Sequence, residues 1–206
     1  MSFFSRHKEA DAERPQNREQ ALFRDFRDLV YIFVIFLVIY VLFFRIVTVE
    51  GSSMHQTLLD GDRVFLISRT VYQKPKQGDI IVVSKDSFRN GECIVKRVIA
   101  VEGQTVDIDF DNRIVYVDGQ PLQESYVYFK TDDNRPMSRG DMSFPLLVKE
   151  GCVFVMGDNR NVSLDSRDPD IGQVDLREIL GRAVFILIPG TDGGKVAPDY
   201  SRIGGI

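Results

Sequence analysis

The sequence predicts a mainly β domain of antiparallel strands preceded by one N-terminal transmembrane helix. Two observations carry this expectation. An uninterrupted apolar run lies early in the chain, and after residue 50 short β-branched segments alternate with turn pairs, with hardly any sustained 3.6-residue period. At 206 residues the chain has room for one compact domain plus an appendage. A composition of 44% hydrophobic and 27% charged residues is ordinary for a globular protein and excludes wholesale disorder or a multi-pass transporter.

The apolar run comes first. From Leu29 to Phe44 the residues LVYIFVIFLVIYVLFF carry no charge, and past Arg45 the apolar character continues to Val49. At about 1.5 Å per residue Leu29–Val49 reaches about 31 Å, the thickness of a hydrocarbon core, with Arg45 snorkelling to the far interface. Two strands in its place would need a turn, and the run has none. A cleaved leader would have a shorter apolar region and a small-residue cleavage site after it. Arg6, Lys8, Arg14, Arg18, Arg24 and Arg27 precede the run, so the amino end is expected in the cytoplasm and the remainder on the outer side of the cell membrane. The expected division is a largely disordered cytoplasmic tail (1–28), a transmembrane helix (29–49) and an extracytoplasmic domain (50–206), with 105–150 forming a smaller β extension.

Strands are expected at Arg63–Ser68 after Asp60-Gly61-Asp62, Ile80–Ser84 after Gly78-Asp79, Ile94–Val101, Thr105–Asp109, Ile114–Val117 before Asp118-Gly119, and Val153–Met156. Asp175–Gly181 reads as one short helix, followed by a strand over Ala183–Ile188 that Pro189-Gly190 stops. Tyr126–Ser143 reads as a long excursion from the sheet.

Composition also narrows the chemistry. A net charge of -4 offers no broad basic face, so nucleic acid is not expected as a partner. Cys93 and Cys152 stand far apart without a CxxC or a histidine nearby, which argues against zinc, and no GxGxxG, Walker-type loop or HExxH occurs. No cofactor or metal is expected.

A hydrolase outside the cytosol needs a nucleophile and a base. The chain has two histidines: His7 lies on the other side of the membrane, and His55 is two positions from Ser53, too close in sequence to point at it well. The cysteines sit in apolar strand-like runs where a thiol acts as a small hydrophobe. Serine with lysine remains. In Ile94-Val95-Lys96-Arg97-Val98, strand alternation places Lys96 on one face with Ile94 and Val98, and Val95 with Arg97 on the other. Apolar neighbours desolvate an amine, and lowering a lysine pKa from about 10.4 to roughly 7 or 8 costs about 4 kcal/mol, within what burial supplies. A strand lysine that snorkels to solvent fits the same pattern.

Three segments taken in order resemble type I signal peptidases, the membrane-bound serine proteases that release exported proteins from their leader peptides. They are Ser53-Met54 with Thr57-Leu58, Lys96-Arg97 in an apolar strand, and Gly157-Asp158-Asn159-Arg160-Asn161-Val162-Ser163-Leu164-Asp165-Ser166-Arg167. Gly61-Asp62-Arg63-Val64-Phe65 and Gly78-Asp79-Ile80-Ile81-Val82 are similar to the family's connecting segments.

The resemblance implies an antiparallel-sheet catalytic domain of the signal-peptidase type. It makes Ser53 the nucleophile and Lys96 the general base, with the Ser163 hydroxyl orienting the amine and the Ser53 N–H stabilising the oxyanion. Met54, Leu58, Val64, Ile94 and Val95 are expected to wall shallow pockets for small residues, giving cleavage after an Ala-x-Ala-like site. Gly51, Asp158, Asp165 and Arg167 would support the site. Gly51 stands where some members carry a serine, Gln56 replaces the usual proline, and Ile94 stands where tyrosine is frequent. The implied partners are signal peptides of secretory preproteins, the lipid bilayer and the secretion translocon. The alternative reading is a non-catalytic membrane-anchored module that binds exported chains. Asn161-Val162-Ser163 also fits a glycosylation sequon, read as a coincidence of three residues.

Overall fold

The computed structural model describes the backbone of residues 3–85, 92–129, 137 and 139–206, with side chains for Arg18 and those from residue 20 onward. It falls into two units, one ending at Leu42 and one covering Phe43–Ile206.

The first unit is a single helix, α1 (Phe3–Phe43). Its Gln20–Phe43 portion, 24 residues of mean hydropathy 2.3 with none of it buried, is long and apolar enough to cross a membrane. The helix boundaries differ from the sequence expectation at both ends. It begins at Phe3, where a largely disordered tail was expected, and stops at Phe43 instead of Val49. The reason for the second difference is tertiary. Phe44–Thr48 forms strand β1, paired with β2 (Arg63–Ser68) from Phe44↔Ile67 to Thr48↔Arg63, and the Phe44 and Phe65 rings stack 5.1 Å apart. Bulky β-branched residues suit that pairing as well as they suit a helix in lipid.

The second unit is built on two antiparallel sheets. Besides β1 and β2, the main one contains β3 (Ile80–Ser84), β4 (Cys93–Val101), β9 (Cys152–Met156), β10 (Val174–Asp175), β11 (Ile179–Ile188) and β12 (Gly204–Gly205). Its order is β1-β2-β11-β3-β4-β9-β10, with β12 on β11. The smaller sheet, β5 (Thr105–Asp109), β6 (Ile114–Val117), β7 (Gln120–Pro121) and β8 (Leu146–Leu147), has the order β7-β6-β5-β8.

Strand alternation sorts the core. On β3, Ile80 and Val82 join a cluster with Val49, Met54, Leu58 and Val95, while Ile81 and Val83 join a second with Val98, Val153 and Val155 on the other face. A third cluster, with Ile99, Phe154 and Met156 from the main sheet and Val106, Ile108, Val115 and Val117 from the smaller one, welds the two sheets together. Each such side chain, fully buried, contributes about 1.5–3 kcal/mol.

The expected helix over Asp175–Gly181 is only one 3₁₀ turn, Leu176–Glu178, closed by a capping box between Asp175 and Glu178. β11 then starts earlier than its apolar run suggests. Gly181 permits this, because a Cβ there would lie 2.3 Å from the Ile67 carbonyl oxygen.

Candidate active site

Ser53 lies in the loop Val49–Asp62 between β1 and β2. The loop turns at Gly51, whose φ of +82° suits glycine, and its ends are tied together by Val49 N–H to the Asp62 carbonyl and Gly61 N–H to the Val49 carbonyl. Met54 and Leu58 point inward and anchor it in the first apolar cluster, 1% and 0% exposed. The Ser53 carbonyl accepts from Asn159 N–H at 2.9 Å, and the Ser52 carbonyl accepts from the Asn159 side-chain amide at 3.0 Å. The loop that carries the serine is therefore docked on the Gly157–Arg167 segment, far away in sequence.

Lys96 sits mid-strand on β4, opposite Ile81 of β3, and is 3% exposed. Its amine donates to Ser53 Oγ at 2.8 Å and to the Val95 carbonyl at 3.0 Å. Burial lowers its pKa from the ordinary lysine value to about 8; the Asp165 and Asp158 carboxylates pull it back up and the Arg167 guanidinium pushes it down. The lysine does not snorkel.

The Gly157–Arg167 loop is a buried polar network. Arg97 grips Asp158 with two parallel hydrogen bonds of 2.8 and 2.7 Å and gives a third to the Gly78 carbonyl. The Thr57 hydroxyl donates to the same Asp158 carboxylate, so one buried group joins the serine loop to the residue beside the lysine. Arg167 forks onto Asp165, both bonds 2.8 Å, and also reaches the Arg160 carbonyl. Burial alone would raise the Asp165 carboxyl; Arg167 and the Gly157 N–H outweigh it and hold it below the usual range. Arg160 is 0% exposed and pairs with Glu124. Gly157 is required by close approach, since a Cβ there would stand 2.2 Å from Ser163 Oγ and 2.5 Å from the Ser53 carbonyl oxygen.

Ser53, Lys96, Asp158, Asp165, Arg167 and Gly51 thus meet in one site. Ser163 is there too, buried against Gly157, but the amine's second bond goes to the Val95 carbonyl. The Ser163 hydroxyl lies beside the Asp165 carboxylate and helps to hold its pKa down, but it makes no hydrogen bond of full geometry and none to the amine. The expected pocket residues divide. Ile94 and Val95 line a cavity of about 190 Å³ together with Ser53 and Lys96. Met54, Leu58 and Val64 are instead enclosed in the core beneath it, because the inward faces of the serine loop and β2 are committed to packing.

The other cavity walls include Val162, Leu164, Cys93, Glu50 and Glu92, which the sequence did not single out. Apolar residues on either side of Ser163 were the available signal for Val162 and Leu164. Cys93 and Cys152 are free thiols. His55 packs beside the Tyr128 ring, centroids 4.9 Å apart, and its Nδ1 has no partner among the described residues. The expected excursion over Tyr126–Ser143 is described only in part. Tyr128 bridges the Gly157–Arg167 loop through its N–H to Asp158 and its carbonyl from Arg160, and the Arg97 guanidinium lies 3.8 Å over the Tyr126 ring. Residues 130–136 and 138 lie outside the described residues.

A mainly β domain with a serine hydroxyl bonded to a buried amine defines a class, the serine peptidases. A family model described as signal peptidase, peptidase S26, matches residues 23–188, and this chain belongs to that family. Signal peptidase I of Bacillus licheniformis is 33% identical over 86% of this chain and 94% of its own length. Probable signal peptidase I-1 of Synechocystis sp. is 39% identical over 72% and 73%. A solved signal peptidase I from Enterococcus faecalis is 33% identical, covers 53% of this chain and 96% of its own, and superposes with a TM-score of 0.42.

Proposed function

We propose that this protein is a single-pass membrane endopeptidase that removes signal peptides from exported preproteins after an Ala-x-Ala-like site, with Ser53 as nucleophile and Lys96 as general base. The observation that carries the proposal is the 2.8 Å contact between the Lys96 amine and Ser53 Oγ, made by an amine whose pKa burial lowers to about 8. At pH 7 about one amine in ten is then neutral, against fewer than one in a thousand for a solvated lysine.

In the neutral form the contact runs from the Ser53 hydroxyl to the amine nitrogen. Lys96 takes the hydroxyl proton as Oγ bonds to the scissile carbonyl carbon, and the carbonyl oxygen becomes an oxyanion beside the Ser53 N–H. Collapse breaks the C–N bond; the ammonium returns its proton to the departing amine, leaving an ester on Ser53. A water that loses a proton to Lys96 then attacks the ester, and the second collapse returns that proton to Ser53 Oγ. Ser163, buried beside Gly157 and the Asp165 carboxylate, is the hydroxyl we assign to hold the amine once its bond to Ser53 is broken.

The shallow cavity beside Ser53 suits a small side chain, with Ile94, Val95, Val162 and Leu164 as its apolar walls. The basic residues before the apolar helix favour a cytoplasmic amino end and an outer catalytic domain. With that helix in the bilayer, Ser53 is tethered by a short stretch of chain, which raises the effective concentration of another membrane-held chain. The test is cleavage of a purified preprotein by the full chain in detergent, with mass spectrometry of the released amino end. Ser53→Ala and Lys96→Ala are each expected to reduce turnover at least a thousandfold. Undiminished cleavage by either variant overturns the Ser53 and Lys96 assignment and points to a different nucleophile or base, whereas no cleavage by the wild-type chain favours a non-catalytic anchored module.

A further inference from the structure

The segment after β11, Gly190–Ile206, is rich in glycine and shows no apolar period in sequence, yet it makes the most concentrated polar contact with the serine loop outside the Gly157–Arg167 network. Asp62 closes that loop and is 0% exposed. Its carboxylate accepts four hydrogen bonds: Leu59 N–H at 2.8 Å, Gly190 N–H at 2.7 Å, and both arms of the Arg202 guanidinium at 2.9 and 2.8 Å. Arg202 also donates to the Thr57 carbonyl at 3.2 Å. It is held for this by a 3₁₀ turn, Tyr200–Arg202, capped by Asp199.

The contact is continuous along the segment. A Cβ on Gly190 would lie 2.3 Å from the Asp60 carbonyl oxygen, and Asp192 N–H donates to that oxygen. The Asp60 carboxylate in turn accepts from Gly51 N–H at 2.7 Å, two residues before Ser53. Beyond Arg202, β12 pairs with β11, and Ile206 packs against the cluster that holds Met54 and Leu58. The serine loop is thus gripped from both sides. Asp158 holds Thr57 through its side chain, and Arg202 holds Thr57 through its backbone.

We propose that Arg202 is a positioning residue for the peptidase reaction, acting through Asp62 and Thr57 to keep Ser53 Oγ within reach of the Lys96 amine. The proposal rests on the assignment of Ser53 and Lys96 above. Geometry of this kind acts on the rate of the bond-forming step, because small misplacements of a nucleophile cost large factors in rate while leaving substrate contacts intact. Arg202 is not among the residues lining the cavity beside Ser53, so its effect is expected on kcat rather than on KM. Lysine in its place keeps the charge on Asp62 but cannot reproduce the fork and the third bond to Thr57.

The experiment measures kcat and KM for preprotein cleavage by the full chain in detergent, for wild type, Arg202→Ala, Arg202→Lys and Ser53→Ala. The expected result is a kcat reduced at least tenfold in Arg202→Ala with KM changed less than twofold. Arg202→Lys should lie between the two, and the acid limb of the pH profile should keep its midpoint because Lys96 stays buried. A kcat within twofold of wild type in both Arg202 variants overturns the proposal, as does a loss carried by KM alone. If Arg202→Ala does not fold, Arg202→Lys decides by the same criteria. Ser53→Ala separates the two levels: if it still cleaves, the assignment of Ser53 as nucleophile fails, whereas an inactive Ser53→Ala beside fully active Arg202 variants refutes only the positioning role.

Discussion

The two halves of the site are held in place by different means. Lys96 belongs to a central strand, and its environment follows from alternation: Ile94 and Val98 pack on one face of β4 and Val95 on the other. Ser53 belongs to a loop, and nothing periodic holds it. Its position depends on Asn159, Asp158 and Arg202, each far away in sequence. A strand supplies burial, which lowers the pKa of the amine, whereas a loop exposes a hydroxyl and borrows its rigidity from polar and charged groups around it. Each half is accordingly vulnerable in its own way: the Lys96 amine to changes in solvation, the Ser53 hydroxyl to changes in a distant ion pair.

The sharpest test of the loop side is Arg167→Ala. It leaves Asp165, 1% exposed, without its paired guanidinium, and the loss of a buried partner costs about 3–5 kcal/mol. Urea unfolding should show that loss; a change under 1 kcal/mol would mean that the network is not what secures the loop.

On the strand side the largest expected effect has the opposite sign. Because the folded-state pKa of Lys96, about 8, lies below its unfolded value, the native state binds this proton more weakly than the unfolded chain does. Native stability is therefore lowest below pH 8 and rises as pH climbs from 8 past 10. Lys96→Met removes that penalty while keeping the volume, and should raise stability at pH 7 by about 2 kcal/mol, net of the lost hydrogen bonds. The gain should vanish near pH 11, and unfolding curves at the two pH values would reveal it. A destabilised methionine variant at pH 7 would show that the amine is not desolvated.

The same pKa predicts a smaller, kinetic effect. Cleavage should rise about tenfold between pH 6 and 7 and level off above pH 8, as the neutral amine accumulates. A flat profile over that range would break the link between burial and base strength. Smallest of all, Cys93→Ser, at an exposed position on the cavity rim, should change stability by under about 0.5 kcal/mol; calorimetry would detect more.

The strand side of this molecule is the side that could be read in advance. Short β-branched runs between glycine-aspartate turns located β2 to β6 and β9 to within a residue or so, whereas alternation around Lys96 fitted a desolvated amine and a snorkelling one alike. The polar loop could be read through its motif, since Asp158, Asp165 and Arg167 are where the resemblance placed support for the site. The helix end could not. Phe44–Thr48 is apolar and β-branched, as apt for lipid as for a sheet edge, and only the presence of β2 beside it decides for the strand. Met54, Leu58 and Val64 also misled as pocket walls, because an apolar residue next to a nucleophile fits a pocket and a core equally well.

The sequence alone marked the longer strands of the domain and the apolar faces of those strands, because such patterns are local and repeat every two residues. Tertiary structure decided where the helix gives way to β1, which walls the cavity has and that Arg202 closes on Asp62. Those outcomes depend on which distant groups arrive alongside, and a buried carboxylate takes whichever guanidinium the fold brings to it.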